Sequence, residues 1–225
     1  MKKTLLIACL CCFSFAVFAQ EEKTAVEQPV SAEMAAIQTA TSLAKYGYAT
    51  YSPTSLIEAA RILGTTEVQS LNVEATRGTE VAPDAKDAKV SFEPAQLLAD
   101  AKKFAGKDKA VLAMIKKVEA EIASAGQTRG AVGGPKGQKD RVYGKDYNIY
   151  RVKFWGGELA EVCVSGDGDT DLDLYVYDAN GNLIGSDTDY TDDCVVRWVP
   201  AWTGEFSIKV VNRGAVYNNF AIWTN

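Results

Sequence analysis

The stretch GDGDTDLDLYVYDANGNLIGSDTDYTDDC, residues 166–194, decides how the second half of the chain folds. Its centre, from Asp171 to Tyr177, alternates strictly between polar or aromatic and aliphatic residues. Successive side chains on a strand point to opposite faces, so Leu172, Leu174 and Val176 share one face and Asp171, Asp173, Tyr175 and Tyr177 the other. This is a strand with one buried aliphatic face, on which alternate carboxylates stand about 7 Å apart. Asn180-Gly181 signals a type I′ turn, which needs positive φ at both central residues and folds the next strand back. Nine aspartates crowd the stretch, at 167, 169, 171, 173, 178, 187, 189, 192 and 193, and no lysine or arginine interrupts them.

The period of two continues on both sides. Strands are expected near 147–155, 158–165, 171–177, 182–186, 194–199, 205–212 and 217–224, separated by turn signals such as Gly156-Gly157 and Pro200 to Gly204. Short strands at this spacing make an all-β, jelly-roll-like sandwich over 141–225. Before it, QTRGAVGGPKGQKD at 127–140 reads as a Gly-rich linker. It lacks the Walker spacing and a Lys-Ser/Thr pair, so it is no phosphate loop.

Residues 31–126 change to helical spacing. Met34, Ile37, Thr41 and Ala44 form a first stripe; Ser52-Pro53 opens a second helix that Gly64 ends; Glu93-Pro94 opens a third that Gly106 stops; Asp108 caps a fourth. The fold class is therefore α+β in two domains: a small helical domain of two hairpins, with a long polar loop at 64–91, and the sandwich.

The N-terminus bounds location. Lys2 and Lys3 precede an apolar run to Phe18, and Val17-Phe18-Ala19 suits signal peptidase, so residues 1–19 read as a signal peptide and 20–30 as a flexible tether. Leu6-Ile7-Ala8-Cys9 resembles a lipobox, but cleavage there leaves too short a hydrophobic segment before it. No later segment is long and apolar enough to span a membrane. The expected location is the periplasm or the exterior. Cys163 and Cys194 are then the mature chain's two cysteines, and an oxidising compartment makes them a disulfide candidate; two buried thiols are the alternative.

Composition excludes whole classes of chemistry. The chain has 24 basic and 29 acidic residues, a net charge of −5, which speaks against nucleic acid as partner. It has no histidine, which removes Ser-His-Asp and Cys-His catalysis and imidazole metal sites together. Calcium is the candidate cofactor, because hard cations take oxygen ligands: Asp167, Asp169 and Asp171 on one side and Asp187, Asp189 and Asp192 on the other, brought together by the hairpin. Position six of an EF-hand loop starting at Asp167 would be Leu172, and a strand follows, so the site is not an EF-hand. Solvated acidic loops are the plain alternative. Asp171 and Asp173 have a glycosidase-like spacing, but neighbours along any strand do, so no catalytic residue is assigned. Among the aromatics, Tyr175 and Tyr177 are the binding candidates because they share the outward face.

The segment 142–225 resembles the bacterial pre-peptidase C-terminal domain. DLDLYVYDANGNLIGSDTD at 171–189, TGEFSIKVVN at 203–212 and Phe220-Ala221-Ile222 carry the resemblance. It implies a jelly-roll-like sandwich, usually appended to secreted peptidases, with some members binding calcium or an extracellular polymer. Nothing before residue 141 looks like a peptidase. The expectation is an exported, non-catalytic binding or accessory protein whose partner is an extracellular or periplasmic protein or polysaccharide. The alternatives are a trans-acting partner of a secreted peptidase (inhibitor, chaperone or targeting subunit) and an unrecognised hydrolase.

Overall fold

A computed structural model describes residues 31–78, 90–127 and 135–225. The expected signal peptide and tether, and most of the expected linker, lie outside the described residues.

The helices begin where capping chemistry puts them. Helix α1 (Ala32–Thr50) starts at Ser31, whose Oγ accepts from the Met34 amide at 3.1 Å. Helix α2 (Pro53–Thr65) has Ser52 as N-cap and Pro53 in its first turn. Two short strands follow, β1 (Gln69–Ser70) and β2 (Thr76–Arg77). Helix α3 (Pro94–Ala105) ends at Gly106, whose φ of 55° a side chain would resist. Helix α4 (Lys109–Gln127) is capped by Asp108, whose Oδ1 accepts from the amides of Ala110 and Val111 at 2.9 and 3.2 Å. Gly64 does not end α2. It is buried inside the helix, where an added Cβ would stand 2.6 Å from Ile122, so its smallness lets α4 approach.

Eight strands complete the chain: β3 (Lys136–Val142), β4 (Tyr147–Phe154), β5 (Ala160–Gly166), β6 (Leu172–Tyr177), β7 (Leu183–Asp187), β8 (Asp193–Trp198), β9 (Gly204–Asn212) and β10 (Asn218–Thr224). They form two five-stranded sheets, ordered β1-β3-β10-β5-β8 and β2-β4-β9-β6-β7. The inner faces meet in a core that includes Tyr150, Leu172, Leu174, Val176, Phe206 and Ile208, which confirms the aliphatic face read from the alternation.

The seam between the halves differs from expectation. Lys136–Val142 is a strand paired along its length with β10, so the linker cannot extend to residue 140. Its polar sequence hides it: pairing rather than an apolar face holds it. Part of the expected loop at 64–91 is also structured. β1 pairs in parallel with β3, β2 pairs antiparallel with β4, and the Gln138 side chain bonds both the amide and the carbonyl of Val73. Arg77 closes the segment on Asp140, at 2.7 Å.

The helices lie on the outer face of the first sheet. Cys163, Ala221 and Trp223 point away from the sandwich core and join one apolar cluster with Met34, Ile37 and Leu56. Strand β5 is consequently buried on both faces along its whole length. No helix covers the outer face of the second sheet among the described residues; its Arg151, Lys153 and Glu205 are exposed.

The Asn180-Gly181 turn is also built differently. Gly181 has φ 84°, but Asn180 is not left-handed. The Gly181 amide donates to the Asp178 carbonyl at 3.0 Å, and the Asp178 carboxylate accepts from the amides of Asn180 and Asn182, both at 2.8 Å. An Asp at the start of a turn holds the backbone this way, and only the glycine then needs positive φ. The Asn182 side chain and these amides hold the Asp178 carboxyl below its usual range.

Candidate functional sites on the sandwich

The acidic end is formed by the β5–β6 and β7–β8 loops, and the hairpin does bring the two groups of aspartates together. Many of their oxygens are taken up by the protein itself. Asp167 is fully buried; its Oδ2 accepts from the Asn219 amide and side chain at 3.0 and 2.9 Å. Asp187 accepts from the Val195 amide at 2.9 Å. Asp189 accepts from the amide and hydroxyl of Thr191 at 2.9 and 2.7 Å. Asp192 accepts from the Gly168 amide at 2.6 Å.

Two cations enter this end from elsewhere in the chain. Lys45 of α1 pairs with Asp192 at 2.8 Å and with Asp193 at 2.6 Å. Arg213, after β9, pairs with Asp173, which is buried. Among the described residues no group of three His, Cys, Asp or Glu is disposed to hold a metal ion. The expected calcium set of Asp167, Asp169, Asp171, Asp187, Asp189 and Asp192 is therefore not drawn into a coordination shell. Backbone amides and the Lys45 ammonium take much of the charge that an ion would have offset.

Asp171 remains the carboxylate least well served. Its Oδ1 is buried without a hydrogen-bond partner among the described residues. Burial pushes its pKa up, as do the charges of Asp173 and Asp189, with Arg213 opposing. A carboxyl whose folded pKa is raised favours folding at low pH and loses that contribution as pH rises through the folded value. Asp171→Asn is therefore expected to raise the Tm at pH 7, with the gain vanishing below about pH 4, where aspartate is protonated in both states. Thermal melts across pH check this. Calcium at about 5 mM, well above the Kd of extracellular modules, should leave both Tm values unchanged. A calcium-dependent rise in the wild type alone would restore Asp171 as an ion ligand.

Cys163 and Cys194 are free thiols, both buried. They cannot pair as expected. In the β5–β8 ladder Cys163 stands opposite Val195, and Cys194 opposite Val164. The two cysteines therefore fall on opposite faces of the sheet. Cys194 faces the sandwich core and donates to the Leu172 carbonyl at 3.1 Å. Cys163 faces the helices, where the Gln38 amide donates to its sulfur at 3.0 Å. Burial pushes both thiols well above the usual range.

Tyr175 and Tyr177 sit where the alternation puts them, half-buried on the open outer face of the second sheet. Their rings are nearly parallel, 20° apart with 6.4 Å between centroids. The Tyr175 hydroxyl donates to Asp173 and accepts from Arg213, both at 2.9 Å, which fixes the ring's edge. Burial and the Asp173 carboxylate push this hydroxyl above its usual range. Lys209 stands opposite Tyr175 on β9 and lies 4.2 Å from the ring centroid of Tyr147. The other aromatics divide. Tyr217 and Trp223 are buried, and Trp198 packs on Phe154 with centroids 4.8 Å apart. Trp155, Trp202 and Tyr190 are exposed.

No protein-family model matches the chain, and no curated protein matches its sequence. Solved structures with similar folds include the pre-peptidase C-terminal domain of a collagenase from Bacillus anthracis, at 10% identity and TM-score 0.36, covering 42% of this chain and 91% of that one. Another is PliG from Aeromonas hydrophila, a periplasmic inhibitor of g-type lysozyme, at 17% identity and TM-score 0.34, covering 44% and 91%. A third is the C-terminal CBM6 of LamC from Zobellia galactanivorans, at 14% identity and TM-score 0.27, covering 40% and 87%. Likeness at these levels says nothing of ligand or activity. The resemblance to the pre-peptidase C-terminal domain, first carried by the motifs of the C-terminal segment, is thus met again among solved structures as a partial likeness of fold.

Proposed function

We propose that this is an exported, non-catalytic binding protein that holds an extracellular or periplasmic polysaccharide or protein against the open face of its second sheet. One observation carries the reading: the helices cover the outer face of the first sheet, whereas the outer face of the second presents an ordered tyrosine pair beside Lys209 and the Arg213–Asp173 ion pair. Rigid tyrosines with few rotatable bonds offer contact area at low entropic cost, and arginine beside them supplies directed donors. The chain's lack of histidine and the tie of Asp173 to Arg213 fit a surface that binds without reacting. The apolar N-terminal run supports export.

The double variant Tyr175→Ala/Tyr177→Ala tests the reading. Immobilised wild-type protein is exposed to insoluble polysaccharides and to periplasmic protein, and what it retains is titrated against the variant. Aromatic anchors of this kind dominate interface energies, so binding should fall tenfold or more, about 1.4 kcal/mol or greater. The same retention by a folded variant would remove the sheet face from the function.

A further inference from the structure

At the end of the sandwich opposite the aspartates, a cavity of about 760 Å³ opens between the start of α1, the end of α2 and the β4–β5 turn. Its size falls within the range of about 300–1,000 Å³ typical of small-ligand sites. Its floor is apolar, with Phe154, Leu159, Ala160 and Ala36. Its wall carries Trp155, which is 64% exposed.

The turn that presents Trp155 is held rigidly. The Gly156 amide donates to the Thr203 hydroxyl at 2.9 Å, and the Gly157 amide to the Pro200 carbonyl at 2.8 Å. A Cβ at Gly156 would come within 2.7 Å of the Thr203 nitrogen, and Gly157 has φ 79°, so neither position takes a side chain without strain. The Lys153 ammonium lies 5.6 Å from the Trp155 ring centroid.

The rim supplies hydrogen-bonding groups that the fold does not use. Glu33, Glu67, Glu158, Lys136 and Lys153 line the cavity, and none makes an ion pair among the described residues. Three carboxylates and two ammonium groups nearly cancel. They give no strong preference for an ionic ligand, yet they offer both acceptors and donors. A sugar matches this combination. Its hydroxyls donate to carboxylates and accept from ammoniums, and its C–H face covers an indole.

We propose that this cavity is a binding site for a neutral oligosaccharide, with Trp155 as the stacking platform and Glu158 and Lys153 as hydroxyl partners. The site centres on Trp155, just past the end of β4, and does not depend on the tyrosine pair; Lys153 reaches it from the outer face of the second sheet. The test is calorimetric titration of the full chain with four neutral tetrasaccharides, of β-1,4-glucose, β-1,3-glucose, α-1,4-glucose and β-1,4-N-acetylglucosamine, and with tetragalacturonate as the charged control. At least one neutral sugar should bind the wild type. Trp155→Ala should weaken that binding tenfold or more, and Glu158→Gln several-fold. Trp202→Ala should leave it unchanged. Trp155 is an exposed side chain, so its variant should keep the wild-type Tm, which separates lost binding from lost folding. Failure of all four neutral sugars, equal binding by Trp155→Ala, or tighter binding of tetragalacturonate would each overturn the proposal.

Discussion

Trp223→Ala should cost about 3–5 kcal/mol of stability, the range for truncating a buried aromatic, and the whole molecule should still melt in one transition. Trp223 belongs to β10 of the first sheet, yet its ring faces the helices. It lies 6.1 Å from Phe92, edge to face, and is only 6% exposed. An added Cβ on Gly137 of β3 would stand 2.6 Å from its ring, so the neighbouring strand has no side chain to fill the hole left by alanine. The residue therefore joins helical layer, third strand and sheet at one point. Helical circular dichroism and tryptophan fluorescence, followed together during denaturation, check the result. Two separated transitions, or a loss under about 1 kcal/mol, would show that the helices stand on their own.

Arg197→Met should be nearly as damaging for a different reason. Glu161 is completely buried between β5 and α1. Its Oε1 accepts from Arg197 Nη2 at 2.8 Å, from Arg197 Nε at 3.1 Å and from Gln38 at 2.7 Å, while Oε2 has no partner among the described residues. Taking away one partner of a buried ion pair leaves a carboxylate that water cannot reach, at a cost of about 3–5 kcal/mol. The guanidinium is 40% exposed, so the lower end of that range applies. The double variant Arg197→Met/Glu161→Leu should recover most of the loss, because the stranded charge is gone. Denaturant melts of the two variants decide: if the double variant is no more stable than Arg197→Met, packing rather than charge holds this site.

The sandwich strands from 147 onward were legible because alternation is a direct consequence of having one wet face and one dry one. β4, β6 and β9 obey it closely. Those same rules miss whatever is held by pairing alone. Lys136–Val142 has no apolar face, and β1 and β2 are two residues each, too short to show any period. The cysteine pairing failed on register. Both residues lie in strands of the sandwich, as expected, but the ladder sets Cys163 against Val195 and so puts the thiols on opposite faces, which is the buried-thiol alternative. For the candidate calcium aspartates, what stayed hidden was the counter-charge: Lys45 of α1 pairs with Asp192 and Asp193. The acidic stretch contains no cation, so its neutralising partner had to come from a distance, and nothing local marks Lys45 as that partner. The tyrosine pair was readable from period two, whereas the Trp155 cavity depends on three segments far apart in sequence. The turn at Asn180-Gly181 was located correctly but explained by the wrong residue, since Asp178 does the holding.

The short segment from Gln69 to Arg77 sends one strand into each sheet, so it acts as a staple across one edge of the sandwich. A chain beginning at residue 141 would lack the staple and β3. It would bare unpaired backbone along β4 and β10, the geometry that recruits foreign strands. Order of assembly follows from the same fact. The parallel β1–β3 pairing must wait until α3 and α4 have been bridged, which places sandwich closure among the slow, non-local events of folding, on the scale of milliseconds to seconds. A sandwich cut away at residue 141 is therefore expected to fold less readily than the same strands behind their helical half, which refolding of the truncated and whole chains checks.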